Sequence, residues 1–223
     1  MIRVVIADDH PMMRRALAEA VASALAAAVE VSEAGSFADA ERLLSQGPPP
    51  TLLLLDLTMP GMSGFAGLAI LRGAHPEIPI VIVSASEDPP LIRRAIEFGA
   101  AGYIPKSLPI GKIGEALRAV LAGDIWVPDS AVAVPVDHET AQLASRLAEL
   151  TPQQLRVLTL VAEGKHNKQV AFEMDITEAT VKFHLSQIFR KLAVQSRTQA
   201  VIAAQRMRLT GDSAGAGGAS AGD

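Results

Sequence analysis

The spacing of apolar and polar positions changes once along this chain. Short, continuous apolar runs rich in β-branched or leucine side chains lie at 2–8, 29–34, 52–55, 78–83 and 101–104. Runs of that length without alternation read as strands buried on both faces. Between them, helical spacing covers 11–27, 36–45, 63–74, 88–98 and 109–121. Ser36 stands where an N-cap is needed, and Gly-Pro-Pro-Pro at 47–50 ends the second helix. Five strands alternating with five helices predict an α/β fold, a parallel sheet with helices on both faces. Right-handed crossovers make it doubly wound, most simply in the order 2-1-3-4-5.

Beyond 123 the strand pattern ends. Residues 124–149 carry Pro128 and Pro135 among small and acidic residues, which predicts a linker with a short helix near 139–148. Residues 150–209 show only helical spacing, interrupted at Gly164, at 175–177 and near Ala193, which predicts four short helices. The end, GDSAGAGGASAGD at 211–223, has no apolar anchor and reads as a disordered tail. The expected divisions are a sheet domain over 1–123, a linker over 124–149, an all-α domain over 150–210 and the tail.

Composition sharpens this outline. Cysteine is absent, which excludes disulfides, thiolate metal sites and cysteine nucleophiles and fits a reducing compartment. No stretch reads as a membrane span or a signal peptide, so a cytoplasmic location is expected. The formal net charge is −4, but the sheet domain carries −3, the linker −4, residues 150–210 +5 and the tail −2. A small basic block behind an acidic body points to a polyanion partner. The acidic linker and body could then sit against that block and hinder it.

In a parallel α/β sheet, ligands gather beyond the carboxyl ends of the strands. Asp8 and Asp9 follow the first strand, Asp56 the third, Ser84 the fourth and Lys106 the fifth. Converging carboxylates repel unless a cation lies between them. Oxygen donors select a hard ion, Mg²⁺ first. A lysine opposite such an ion suits a phosphoryl group, to which Ser84 can also donate.

The motifs IADDH at 6–10, LLLLDLTMPGMSG at 52–64, VIVSAS at 81–86 and GYIPK at 102–106 resemble the receiver domain of bacterial two-component response regulators. The resemblance implies that Asp56 accepts a phosphoryl group from a sensor histidine kinase. It implies Mg²⁺ held by Asp8, Asp9, Asp56 and the backbone carbonyl of Thr58, with Asp9 the direct ligand of the acidic pair. Lys106 would pair with the phosphoryl group, Ser84 would be the switch hydroxyl, and Tyr103 an aromatic that swings inward with it.

In the basic block, Thr151-Pro152 and Thr177-Glu178 read as helix starts. Helices at 168–174 and 178–191, joined by a tight turn, make a helix-turn-helix. Lys182, His184, Ser186 and Gln187 would point from the second helix into a groove of double-stranded DNA, while Lys165, Lys168, Arg190, Lys191 and Arg197 could reach phosphates. EGKHNKQVA, TEATVKFHLSQIFRKL and SRTQAV resemble the LuxR-type DNA-binding domain of the NarL/FixJ subfamily. That resemblance implies base contacts by Lys182, Phe183 and Ser186, and a homodimer through a last helix at about 198–207. Three positions depart from the pattern: Gln154 replaces an acid, while Asp175 and Ala193 replace glycines. Phe183 either meets a thymine methyl or completes the core.

The combined reading is a transcriptional regulator, not an enzyme, controlled by Mg²⁺-dependent phosphorylation of Asp56. An aspartate-nucleophile phosphatase is the enzymatic alternative. It would need a second aspartate where Thr58 stands. A regulator that binds DNA constitutively is the other alternative, and the complete acidic cluster argues against it.

Overall fold

A computed structural model describes residues 2–25, 28–62, 64–132 and 138–206. The chain runs β1 (Ile2–Ala7), α1 (Pro11–Ala24), β2 (Val29–Ala34), α2 (Phe37–Ser45), β3 (Leu52–Asp56), α3 (Phe65–Ala74), β4 (Ile80–Ser84), α4 (Pro89–Glu97), β5 (Gly102–Pro105) and α5 (Ile110–Leu121). All neighbouring strands pair parallel, in the order β2-β1-β3-β4-β5. The expected doubly wound sheet is therefore present. Every residue of β3, β4 and β5 is buried, whereas β2 at the edge is buried only at Ala34. That explains why the central strands read as unbroken apolar runs.

The helices divide the core into two layers. On one face, Leu17 and Val21 of α1 and Ile113 and Leu117 of α5 pack on Val4, Ile6, Leu54 and Val81. On the other, Phe37, Phe65, Leu68 and Ile92 cover Val5, Leu53, Leu55 and Ile82. Local chemistry sets the helix starts. Ser36 accepts from the Asp39 amide at 3.2 Å, a cap whose loss costs about 1 kcal/mol. Proline opens α1 and α4.

The segment expected as a linker is largely structured. Trp126 bridges the free edge of β5, accepting at its carbonyl from the Tyr103 amide at 2.9 Å and donating to Ala101 at 3.3 Å. An edge strand offers unpaired donors and acceptors, and the chain leaving α5 is the nearest partner for them. Gly102 makes room: a Cβ there would lie 3.0 Å from the Trp126 carbonyl and 3.1 Å from Val120. A short helix α6 (Asp129–Val132) then buries Ala131, and α7 (His138–Ala148) matches the helix expected near 139–148. The all-α domain is α8 (Pro152–Ala162), α9 (Asn167–Glu173), α10 (Glu178–Leu192) and α11 (Arg197–Gln205), four helices as expected. The expected tail at 211–223 lies outside the described residues. No helix of the described residues is long and apolar enough to cross a membrane.

Candidate functional site

The sheet topology brings the strand ends together. Asp8 and Asp56 are fully buried, and Ser84 is nearly so. Lys106 Nζ lies 2.7 Å from Asp8 Oδ2 as an ion pair and donates to Asp56 Oδ2 at 3.0 Å. Burial alone would drive the lysine towards neutrality, but its contacts to Asp8 and Asp56 outweigh that and hold its pKa above the usual value. Thr58 donates to Asp56 from both its amide, at 3.2 Å, and its hydroxyl, at 3.1 Å. Of the expected cluster, Asp8, Asp9, Asp56 and Lys106 lie together, and Ser84 ends the neighbouring strand, where its hydroxyl accepts from the Ser86 amide at 3.3 Å.

A cation fits this crevice on chemical grounds. Asp8 Oδ2 meets Lys106 Nζ and Asp9 Oδ1 meets His10 Nδ1, so the carboxylates of Asp8, Asp9 and Asp56 converge around Lys106, and converging carboxylates repel unless a further cation lies between them. One ligand atom each from Asp8, Asp9, His10 and Asp56 falls within a 4.8 Å span. His10 is the residue that sequence reasoning missed. Its Nδ1 sits 2.5 Å from Asp9 Oδ1, and its amide donates to Asp8 Oδ1 at 2.8 Å. The signal was its position directly after the acidic pair, at the entry to α1.

Tyr103 is already inside. Its ring is fully buried and its hydroxyl donates to the Ser86 carbonyl at 2.8 Å. Burial pushes its phenol upward in pKa, against the opposing hydrogen bonds to Ser84 and Ser86. An inward swing is therefore not required in this conformation, because the loop after β4 supplies an acceptor at the inner position.

The helix-turn-helix is formed by α9, a turn and α10. Thr177 caps α10 by accepting from the Thr180 amide at 3.1 Å. Asp175 and Ala193 adopt left-handed φ values of 53° and 54°, so the geometry that favours glycine is kept without it. Lys182, Phe183 and Ser186 are exposed on α10, Phe183 at 60%, so the phenylalanine does not complete the core. Ser186 donates to the Phe183 carbonyl at 2.7 Å. His184 and Gln187 are half-buried. Both ring nitrogens of His184 are enclosed without a partner, and Gln187 accepts from Arg190 at 2.5 Å.

Three residues expected to reach phosphates are engaged within the protein. Lys191 donates to the Glu149 carbonyl at 2.7 Å and to Gln154 Oε1 at 2.9 Å. Gln154 closes a capping box with Thr151 at the start of α8. Lys191 thereby clamps the end of α10 to the start of α8. Arg197 donates to Asn167 Oδ1 at 3.1 Å and to the Lys165 carbonyl at 2.5 Å, pinning α11 to α9. Lys165 pairs with Glu173 at 2.5 Å and Glu163 at 3.1 Å, contacts that raise its pKa, led by Glu173. Sequence charge alone could not reveal the partners of Lys191 and Arg197, because they are amide and carbonyl oxygens 30 or more residues away. Lys168, Lys182 and Arg190 remain exposed.

An acidic crevice at the strand ends of a doubly wound sheet is followed by a helix-turn-helix, and each half matches a known family. Residues 4–118 match the family of response regulator receiver domains, and residues 148–204 match the bacterial regulatory proteins of the luxR family. This chain belongs to the response regulators, in the NarL/FixJ arrangement of a receiver followed by a LuxR-type domain. A glycerol metabolism activator of Pseudomonas putida is 39% identical over 217 residues, covering 94% of this chain and 98% of that protein. The nitrate/nitrite response regulator NarL of Escherichia coli is 30% identical over 92% of this chain and 96% of its own length. Among solved structures, the response regulator RcsB of Salmonella typhimurium shares the fold with a TM-score of 0.54 at 21% identity, covering 92% of this chain and 98% of that one.

Proposed function

We propose that this protein is a transcriptional regulator switched by phosphorylation of Asp56, with a sensor histidine kinase as donor and double-stranded DNA as target. The observation that carries this reading is Lys106 Nζ poised between two buried carboxylates, Asp8 and Asp56, at the ends of different strands. An Asp56 carboxylate oxygen attacks phosphorus of the phosphohistidine. The new P–O bond replaces the P–N bond, and the imidazole leaves with the electron pair and takes a proton. Asp8, Asp9, Asp56 and the Thr58 carbonyl would hold Mg²⁺, which would supply neutralisation of the phosphoryl oxygens. Lys106 and the Ser84 hydroxyl donate to those oxygens, and Thr58 gives up its hydrogen bonds to Asp56 as the acceptor changes role.

The product adds about one negative charge and new acceptor oxygens to a buried crevice. Donors on β4 and β5 respond, and both strand ends move with them. At the other end of the chain, Lys182, Phe183 and Ser186 enter the major groove, with Phe183 against a thymine methyl. His184 and Gln187 support them, Lys168 and Arg190 reach phosphates, and Lys165, Lys191 and Arg197 hold the helices that present this face. The active species is a homodimer on paired half-sites, and its location is cytoplasmic. Incubation with acetyl phosphate and Mg²⁺, followed by mapping of the acid-labile phosphoryl group by mass spectrometry, tests the first half. A group found away from Asp56 refutes it. Footprinting with and without acetyl phosphate tests the second.

A further inference from the structure

Asp8 and Asp9 are neighbours in sequence but are held differently. Asp8 is fully buried, and both of its oxygens are engaged. Oδ1 accepts from the His10 amide at 2.8 Å, and Oδ2 lies 2.7 Å from Lys106 Nζ. Its backbone is tied as well: the Asp8 carbonyl accepts from Arg14 Nη1 at 2.7 Å, while Arg14 Nε donates to Glu33 of β2 at 2.8 Å. Asp9 is more open, with its side chain 32% exposed, and its ion-pair contact is with the His10 imidazole, Nδ1 to Oδ1 at 2.5 Å. A carboxylate that open has water as an alternative partner, and it loses side-chain freedom when it is held in one direction.

The backbone presents His10 for that contact. It is the N-cap of α1, extended at φ −87° and ψ 110°, and Pro11 after it disfavours the helical alternative. At the starts of α2, α8 and α10, Ser36, Thr151 and Thr177 turn their side chains to their own helices. His10 does not. Its side chain makes no cap hydrogen bond and faces back to Asp9, while its amide holds Asp8. One residue therefore contacts both acids of the pair, each with a different group.

We propose that His10 is the positioning residue of the cation site. Its imidazole, with a proton on Nδ1, keeps the Asp9 carboxylate turned towards Asp8 and Asp56, beside which it would hold Mg²⁺. A partner behind a ligating carboxylate is worth about 10- to 100-fold in metal affinity. The imidazole is itself 68% exposed, so water screens the contact and the lower end of that range applies. The proposal rests on the reading of the crevice as a Mg²⁺ site.

Mn²⁺ suits the same oxygen donors as Mg²⁺, and free Mn²⁺ is counted directly by electron paramagnetic resonance. The full-length parent, His10→Phe and His10→Asn are titrated with Mn²⁺, and Mg²⁺ is then added as competitor. Phenylalanine keeps a ring and removes both nitrogens. Asparagine keeps a side-chain N–H and is a favoured N-cap, so the start of α1 is preserved. His10→Phe should weaken Mn²⁺ binding about 10-fold, and His10→Asn should recover most of the loss. The Mg²⁺ concentration that half-saturates phosphorylation by acetyl phosphate should rise by the same factor in His10→Phe. Unchanged Mn²⁺ affinity in His10→Phe overturns the proposal, as does a His10→Asn variant that binds no better than His10→Phe. A lower maximal rate at unchanged half-saturating Mg²⁺ also overturns it. Electron spin-echo modulation of the Mn²⁺ complex should show no directly bound nitrogen. A directly bound nitrogen that vanishes in His10→Phe would make His10 a ligand and end its positioning role. If the parent itself binds neither Mn²⁺ nor Mg²⁺, the cation reading of the crevice fails and takes the proposal with it.

Discussion

The acidic crevice and the basic recognition face use charge in opposite ways. In the crevice, ionised groups are buried and satisfied by one another: Lys106 serves Asp8 and Asp56 at once, and these three come from the ends of three different strands. On the recognition face the side chains that remain available lie within one helix and its neighbour, and they are exposed. A buried ionic cluster is brittle, because removing one member strands the rest. An exposed basic face is graded, because each cation adds a separate, salt-screened contact. The first suits an all-or-none switch and the second suits a tunable affinity.

Breaking the crevice at its centre should have the largest effect. Asp56→Ala should abolish acid-labile phosphorylation by acetyl phosphate, measured by intact mass before and after acid treatment. Lys106→Met should come next, lowering stability by about 3 kcal/mol because two buried carboxylates lose their cation. Added Mg²⁺ should raise the Tm of that variant more than that of the parent. The raised pKa of Lys106 gives this contribution a pH window. It is fully present below the ordinary lysine value of about 10.4 and fades as pH rises through the higher folded value. Urea titrations of parent and variant at rising pH should therefore converge in strongly alkaline solution.

Two lysines on the basic side sharpen the contrast. Lys191→Ala should destabilise the helical domain by about 1.5–3 kcal/mol, since a charged donor to Gln154 and the Glu149 carbonyl disappears. Differential scanning calorimetry should show this as a lowered Tm, with the salt dependence of DNA binding nearly unchanged. Lys168→Ala should do the reverse, leaving Tm alone and reducing the log–log salt slope by about 0.9. The smallest effect is expected at Thr177. Its replacement by alanine removes the α10 cap and should cost about 1 kcal/mol of stability, with phosphorylation of Asp56 unaffected.

Much of this was legible before any coordinates. The order of strands and helices, the caps at Ser36, Thr151 and Thr177, and the set of residues at the strand ends all follow from local spacing. The helix near 139–148 was visible in the same way. The bridge made by Trp126 was not, because a single residue pairing with an edge strand leaves no periodicity. His10 was overlooked because a histidine at a helix entry reads as surface. Lys191 and Arg197 read as free cations because their partners are oxygens far away in sequence, and Lys165 did so although its acids, Glu163 and Glu173, are near in the chain.

The sequence by itself determined the doubly wound topology, and with it the edge of the sheet where Asp8, Asp9, Asp56, Ser84 and Lys106 must gather. Parallel strands with right-handed crossovers bring all carboxyl ends to one side. Only the tertiary structure decided which charges are shared, which cations are free, and that the Tyr103 ring lies inside. Short-range spacing specifies what a segment becomes. Which buried polar atom meets which partner depends on close packing between segments distant in the chain, and no local pattern carries that information.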